Sequence, residues 1–235
     1  MDERFLRAEM LLGAAAMERL RQAHVAVVGL GGVGSWCAEA LARCGVGALT
    51  LLDEDTVALT NINRQSIATD RSLGLPKAEA AAARIRDIAP ECRLTVLNAR
   101  YEAAQRDVLF SGRYDYIVDA IDLVACKLDL IESARERGIP LVSALGTGNK
   151  LDAQLLRLCD ISETYGCPLA RVVRKELRKR GIEHHSVVFS PEEGVKPEQR
   201  EAPPPGRRSV PGSLVWVTAT AGMLLCQHVV RELIQ

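Results

Sequence analysis

Short apolar, β-branched runs recur along the chain, separated by stretches whose apolar residues follow a helical period. His24 to Leu30, Ala48 to Asp53, Arg93 to Leu97, Tyr114 to Ala120 and Pro140 to Leu145 predict strands. Ser35 to Arg43, Lys77 to Ile88 and Lys127 to Arg137 predict helices between them. This alternation predicts an α/β fold: a Rossmann-like, mostly parallel sheet with helices on both faces.

After Gly146 the rhythm changes. Gln154 to Cys159 and Ser186 to Ser190 predict two more strands, joined through a basic helix, that extend the same sheet with an antiparallel pairing open to them. The proline-rich, charged stretch 191–211 is expected to be a mobile loop. Ser213 to Val230 contains Thr218, Thr220, Gln227 and His228 and is short for a span of roughly 20 apolar residues, so a buried C-terminal helix is expected and no membrane span.

Composition narrows the picture only in places. A content of 48% hydrophobic residues is ample for a core, and 30 Lys plus Arg balance 30 Asp plus Glu, so any polyanion-binding surface has to be local. Seven scattered cysteines without a Cys-x-x-Cys pair favour reduced thiols in a cytoplasmic protein and give structural zinc no ligands at the usual spacing. The N-terminus begins with acids and lacks the basic-then-apolar order of a secretory signal.

The strongest chemical signal is Gly29-Leu30-Gly31-Gly32-Val33-Gly34, set between a predicted strand and a predicted helix. Gly29 permits the tight turn, Gly31 and Gly32 let backbone N–H groups approach phosphate oxygens, and Gly34 lets the helix pack on the strand. Asp53 ends the next strand, where an acid commonly accepts hydrogen bonds from ribose hydroxyls. These residues alone favour a dinucleotide over a mononucleotide. Arg64, and Lys77 at the head of a helix, change that balance, because a triphosphate attacked at its α-phosphorus needs added positive charge. Asp122, after the fourth strand, can hold magnesium against phosphates or cap the following helix.

The text Arg4-Phe-Leu-Arg7, Gly29-x-Gly-Gly-x-Gly34, Leu52-Asp-x-Asp55, Asn61-x-Asn-Arg-Gln65, Gly74-x-Pro-Lys77 and Asp119-Ala-Ile-Asp122 resembles the ubiquitin-activating superfamily in its bacterial ThiF, MoeB and HesA form. The resemblance implies a single adenylation domain over residues 1–235, with an ATP-binding half (1–150) and a substrate and dimer half (151–235). It also implies a homodimer that uses ATP and Mg2+. Arg7 would reach the phosphates of the neighbouring subunit's ATP, Asn61 would position phosphates, Asp53 would hold the ribose and Asp122 the metal, while Arg64 and Lys77 would stabilise charge on the triphosphate.

Gly146 to Gly148, Val187 to Glu192, Pro211 to Ser213 and Val217 to Gly222 are similar to the tRNA threonylcarbamoyladenosine dehydratases. That similarity implies activation of the threonine carboxylate of threonylcarbamoyladenosine, beside the tRNA anticodon, followed by intramolecular closure that needs no enzyme nucleophile. It leaves room for a docked sulfur-acceptor or cysteine desulfurase protein. The alternative is adenylation of the C-terminal glycine of a ubiquitin-like or sulfur-carrier protein, for which Cys159 or Cys167 would be candidate thioester cysteines; both read first as small buried hydrophobes.

Independently of resemblance, Arg171, Arg174, Lys175 and Arg178 fall on one face of the predicted helix Pro168 to Arg180 and suit an RNA backbone. His184 and His185 are adjacent, so their side chains diverge and shared metal binding is not expected. Arg207 and Arg208 are further possible RNA contacts, and Trp36 and Trp216 are expected to pack in the core or a dimer contact.

Overall fold

The computed structural model describes residues 2–198, 200 and 210–235. Positions 199 and 201–209 of the 191–211 stretch, including Arg207 and Arg208, lie outside the described residues, and positions 191–198 form no helix or strand. Among the described residues seven strands make one sheet: β1 (His24–Val28), β2 (Ala48–Leu52), β3 (Arg93–Leu97), β4 (Tyr116–Asp119), β5 (Leu141–Ala144), β6 (Arg157–Asp160) and β7 (Ser186–Phe189). Their order is β3-β2-β1-β4-β5-β7-β6.

Every neighbouring pair is parallel except β6 with β7. Of the two late strands, therefore, β7 extends the parallel sheet and β6 alone runs the other way. The reason lies in the connections. The link from β5 to β6 stays at the carboxyl edge, so β6 starts there, with Arg157 opposite Phe189, and runs back, while the longer path after it carries a helix and brings β7 in parallel to β5.

Among the described residues eight α-helices cover the sheet: α1 (Leu6–Leu12), α2 (Ala14–Gln22), α3 (Gly34–Arg43), α4 (Lys77–Ile88), α5 (Asp107–Phe110), α6 (Val124–Glu136), α7 (Pro168–Lys179) and α8 (Val215–Leu233). Alternation along β1 sorts them into two layers, as the two-residue period of a strand requires. Val25 and Val27 face a core built with α3, α4 and α8, whereas Ala26 and Val28 face one built with α6 and α7. No helix among the described residues is long and apolar enough to cross a membrane.

Helices α1 and α2 lie outside the elements that the hydrophobic pattern predicts. Helix α2 buries Ala16 and Leu20, and α1 buries no residue. Helix α8 crosses α3 closely enough that a Cβ on Gly222 would stand 2.7 Å from the Val33 carbonyl oxygen.

Candidate nucleotide-binding site

The strand order reverses direction between β1 and β4, and at this switch point a parallel sheet leaves an open crevice at its carboxyl edge. The glycine loop leaves β1 there and runs into the N-terminus of α3. Its glycines do different work. Gly29 has φ +91°, and a Cβ on it would meet the Ala120 carbonyl oxygen at 2.8 Å. A Cβ on Gly34 would fall 1.8 Å from the Gly29 carbonyl oxygen, so these two residues close the turn. A Cβ on Gly32 would face the Thr218 side chain of α8, and Gly31 looks into open space.

Asp53 is buried at the end of β2 and accepts the Leu30 N–H at 2.6 Å, which ties the second strand to the loop. It also accepts the Asp55 N–H at 2.9 Å. Burial raises its pKa, and the nearby Lys77 opposes that rise. Lys77 returns to this spot because residues 55–57 bond to 74–77, through Lys77 N–H to Asp55 O and Val57 N–H to Leu75 O. Its buried ammonium is 2.6 Å from Asp55 and 3.9 Å from Asp53, so one cation is shared by two carboxylates beside the loop. An anion arriving here meets a lysine that need only trade one partner for another.

The turn carrying Asn61 and Arg64 is fastened to α3. Trp36 Nε1 donates to the Arg64 carbonyl at 3.0 Å, and Ser35 Oγ accepts the Ser66 N–H at 3.1 Å. The Arg64 guanidinium donates to Thr60 O and to Asn63 Oδ1. Asn61 Oδ1 accepts the Ala58 N–H, which leaves its amide NH2 as the part able to meet a phosphate. Beneath the turn, Gln65 Oε1 and Ser66 Oγ are buried with no hydrogen-bond partner among the described residues. Asp122 is exposed at the carboxyl edge beyond β4, one residue before Leu123, the N-cap of α6.

Comparison with known proteins decides the family. The ThiF family model matches residues 5–235. This chain belongs to the ThiF family. A relative named tRNA threonylcarbamoyladenosine dehydratase from Bacillus subtilis is 40% identical over 244 residues, spanning 100% of this chain and 96% of the relative. The solved Escherichia coli tRNA N6-threonylcarbamoyladenosine dehydratase in complex with ATP superposes with a TM-score of 0.89 at 39% identity, covering 99% of this chain and 94% of that one. A more distant relative, the molybdopterin-synthase adenylyltransferase of Escherichia coli, is 37% identical over 138 residues, 59% of this chain and 54% of that protein.

This ThiF-family chain carries a buried polar chain beneath the crevice that was not read from the sequence. Asp119 and Lys127, both without solvent exposure, pair at 2.6 Å. Asp119 also accepts from Ser143 Oγ at 2.6 Å and from the Ile121 N–H at 3.0 Å, which fixes the start of the segment leading to Asp122. Ser143 Oγ lies 2.8 Å from His185 Nε2. Because the serine proton goes to Asp119, His185 must donate through Nε2, the neutral imidazole with its proton on that nitrogen. Burial and then the Lys127 charge push the His185 pKa down to about 3. His184 points elsewhere, 3.4 Å from Asp160.

Arg7 lies exposed on α1, and neighbouring Phe5 packs at Gly45, beyond the far end of α3 from the loop, so Arg7 is remote from the crevice of its own chain. On α7, Arg171, Lys175 and Arg178 are exposed. Arg174 is not free with them: its guanidinium donates to the Thr164 carbonyl and hydroxyl and braces the turn before the helix. Cys167 is buried and its sulfur caps α7, while burial pushes the Cys159 thiol up to about 11. Trp216 is half exposed and donates to Leu151 O.

Proposed function

We propose that this protein is an ATP-dependent tRNA threonylcarbamoyladenosine dehydratase that activates the threonine carboxylate of the modified nucleoside as an acyl adenylate. What carries the reading is similarity along the whole chain to proteins of that name, against 59% coverage by the adenylyltransferase. The chain would work as one adenylating unit, with residues 1–150 holding ATP and 151–235 meeting the substrate.

In this reading the triphosphate lies on the open backbone at Gly31, the ribose meets Asp53, and Lys77, Arg64 and the Asn61 amide contact phosphates. The carboxylate oxygen attacks the α-phosphorus and pyrophosphate leaves. An atom of the same modification then attacks the activated carbonyl, loses its proton and expels AMP with the former carboxylate oxygen. The nucleoside is thus lighter by one water. Among the described residues no cluster of three or more acidic, cysteine or histidine side chains is preformed, so Mg2+ would be held by Asp122 with phosphate oxygens and water. It would supply charge stabilisation for the departing pyrophosphate.

The weak thiolate character of Cys159 supports closure without an enzyme thioester. Arg171, Lys175 and Arg178 offer an RNA backbone three solvated cations. A homodimer is supported by Leu6, Met10 and Leu11 on α1, exposed by 48%, 72% and 88%. Pairing through that surface would carry Arg7 to the partner's ATP. A sulfur-acceptor or cysteine desulfurase protein is not required by this chemistry.

The test is mass spectrometry of tRNA nucleosides after incubation with ATP. Wild type should remove one water from threonylcarbamoyladenosine and Asp122→Ala should not. An unchanged nucleoside, together with pyrophosphate exchange that depends on a Gly-Gly-tailed carrier protein, would replace this reading with carrier activation.

A further inference from the structure

Tyr165 is 54% exposed, yet the backbone under it is held from several sides. Its carbonyl accepts the Cys167 N–H at 2.7 Å, Arg174 grips the preceding Thr164, and a Cβ on Gly166 would stand 2.4 Å from the Pro191 carbonyl oxygen. The ring rests edge-to-face on buried Phe189, with centroids 6.0 Å apart. The Arg157 guanidinium, itself on an exposed residue, lies 5.7 Å from the Tyr165 centroid. So much fixing around a ring that contributes little burial is poorly explained by packing.

The topology places this pair on the working edge. Phe189 ends β7, which is parallel to β5 and through it to β4, and reversed β6 sets Arg157 opposite Phe189. Arg157 and Tyr165 therefore stand on the same carboxyl edge as Asp122. Arg157 on β6 is three strands away from β4, about 14 Å at ordinary strand spacing, and Tyr165, against Phe189 of β7, lies nearer. A threonylcarbamoyl arm reaches roughly 7 Å from carboxyl to purine, and the next base in a single strand adds several ångströms more. Unpaired bases are recognised by stacking on aromatic rings and guanidinium planes.

We propose that Tyr165, flanked by Arg157, is a stacking platform for an unpaired nucleobase of the tRNA anticodon loop next to the reacting nucleoside. This rests on the tRNA reading above and adds a subsite to it. The ring gives stacking area at little entropic cost because its backbone is already held. Arg171, in the first turn of α7, lies at this same edge, whereas Arg178 lies about 10 Å further down the helix.

The test is equilibrium binding of a short anticodon stem–loop RNA, without ATP, to wild type, Tyr165→Ala and Tyr165→Phe. Tyr165→Ala should weaken binding roughly 10- to 100-fold. Tyr165→Phe should stay within about twofold, and ATP affinity and thermal midpoint should be unchanged in both. A fully paired RNA hairpin stem should bind all three alike. Wild-type affinity in Tyr165→Ala, equal weakening for the paired stem, or no stem–loop binding by wild type would overturn the platform. Stem–loop binding by a wild type that leaves the full tRNA nucleoside mass unchanged with ATP would instead overturn the dehydratase reading and keep the platform.

Discussion

His185 should make this protein sensitive to mild acid, and the size of the effect follows from its surroundings. Its ring is neutral in the fold, donating to Ser143 above the Asp119–Lys127 pair, and its pKa is held at about 3. Unfolded, the same imidazole titrates near 6.5. Between those values the unfolded chain binds a proton that the folded chain refuses, so stability is full above about pH 6.5 and falls as the pH drops toward 3. From pH 7 to pH 5 the loss from this one residue is about 2 kcal/mol, an upper figure because the residue keeps part of its surface in water. Urea unfolding at both pH values, at one protein concentration, measures it. The expected difference in acid loss between wild type and His185→Gln, whose amide can still donate to Ser143, is a shift of about 0.7 M in midpoint for a slope near 3 kcal/mol/M. Equal acid losses in the two proteins would refute the reasoning.

Other consequences are equally accessible. Gly34→Ala forces a Cβ onto the Gly29 carbonyl and should disrupt the loop and lower the thermal midpoint, whereas Gly31→Ala should fold normally and lose ATP affinity in a calorimetric titration. Lys127→Met strips the cation from a fully buried carboxylate and should cost ~3–5 kcal/mol in urea unfolding. Adding Asp119→Asn should recover a substantial part of that loss, and no recovery would mean that the pair's charge is not what the core depends on. Trp36→Phe removes a hydrogen bond of about 1 kcal/mol that holds the Arg64 turn, and should raise KM for ATP several-fold while lowering stability by no more than that amount. Cys159→Ser should leave turnover within about twofold, since the thiol contributes little thiolate at neutral pH.

What could be read beforehand was what local sequence encodes. The glycine run between β1 and α3, the acid closing β2, and Lys77 at the head of α4 each declare themselves within a few residues. The sheet was legible because its buried strands are short apolar runs. Pairing direction was not: nothing inside Arg157–Asp160 or Ser186–Phe189 says which of them reverses, because that depends on whether each connection stays at one edge of the sheet or crosses it. The polar chain from Lys127 to His185 was also invisible, since Asp119, Ser143 and His185 meet only through the register of β4, β5 and β7. Arg174 shows the same limit from the other side. Helical spacing put it on the basic stripe, and a turn ten residues upstream claimed its guanidinium.

The contact of α8 with the glycine loop has a consequence for synthesis of the chain. Gly32 faces Thr218 and Val33 backs onto Gly222, so the loop acquires neighbours from a helix that leaves the ribosome long after it. A nascent chain that has emerged as far as β5 already displays β1, the glycines, Asp53 and Lys77, but their apolar side still lacks its cover. Competence to hold a nucleotide should therefore arrive late and abruptly, only once α8 has emerged, and a message truncated before codon 215 should yield a protein that cannot complete its loop.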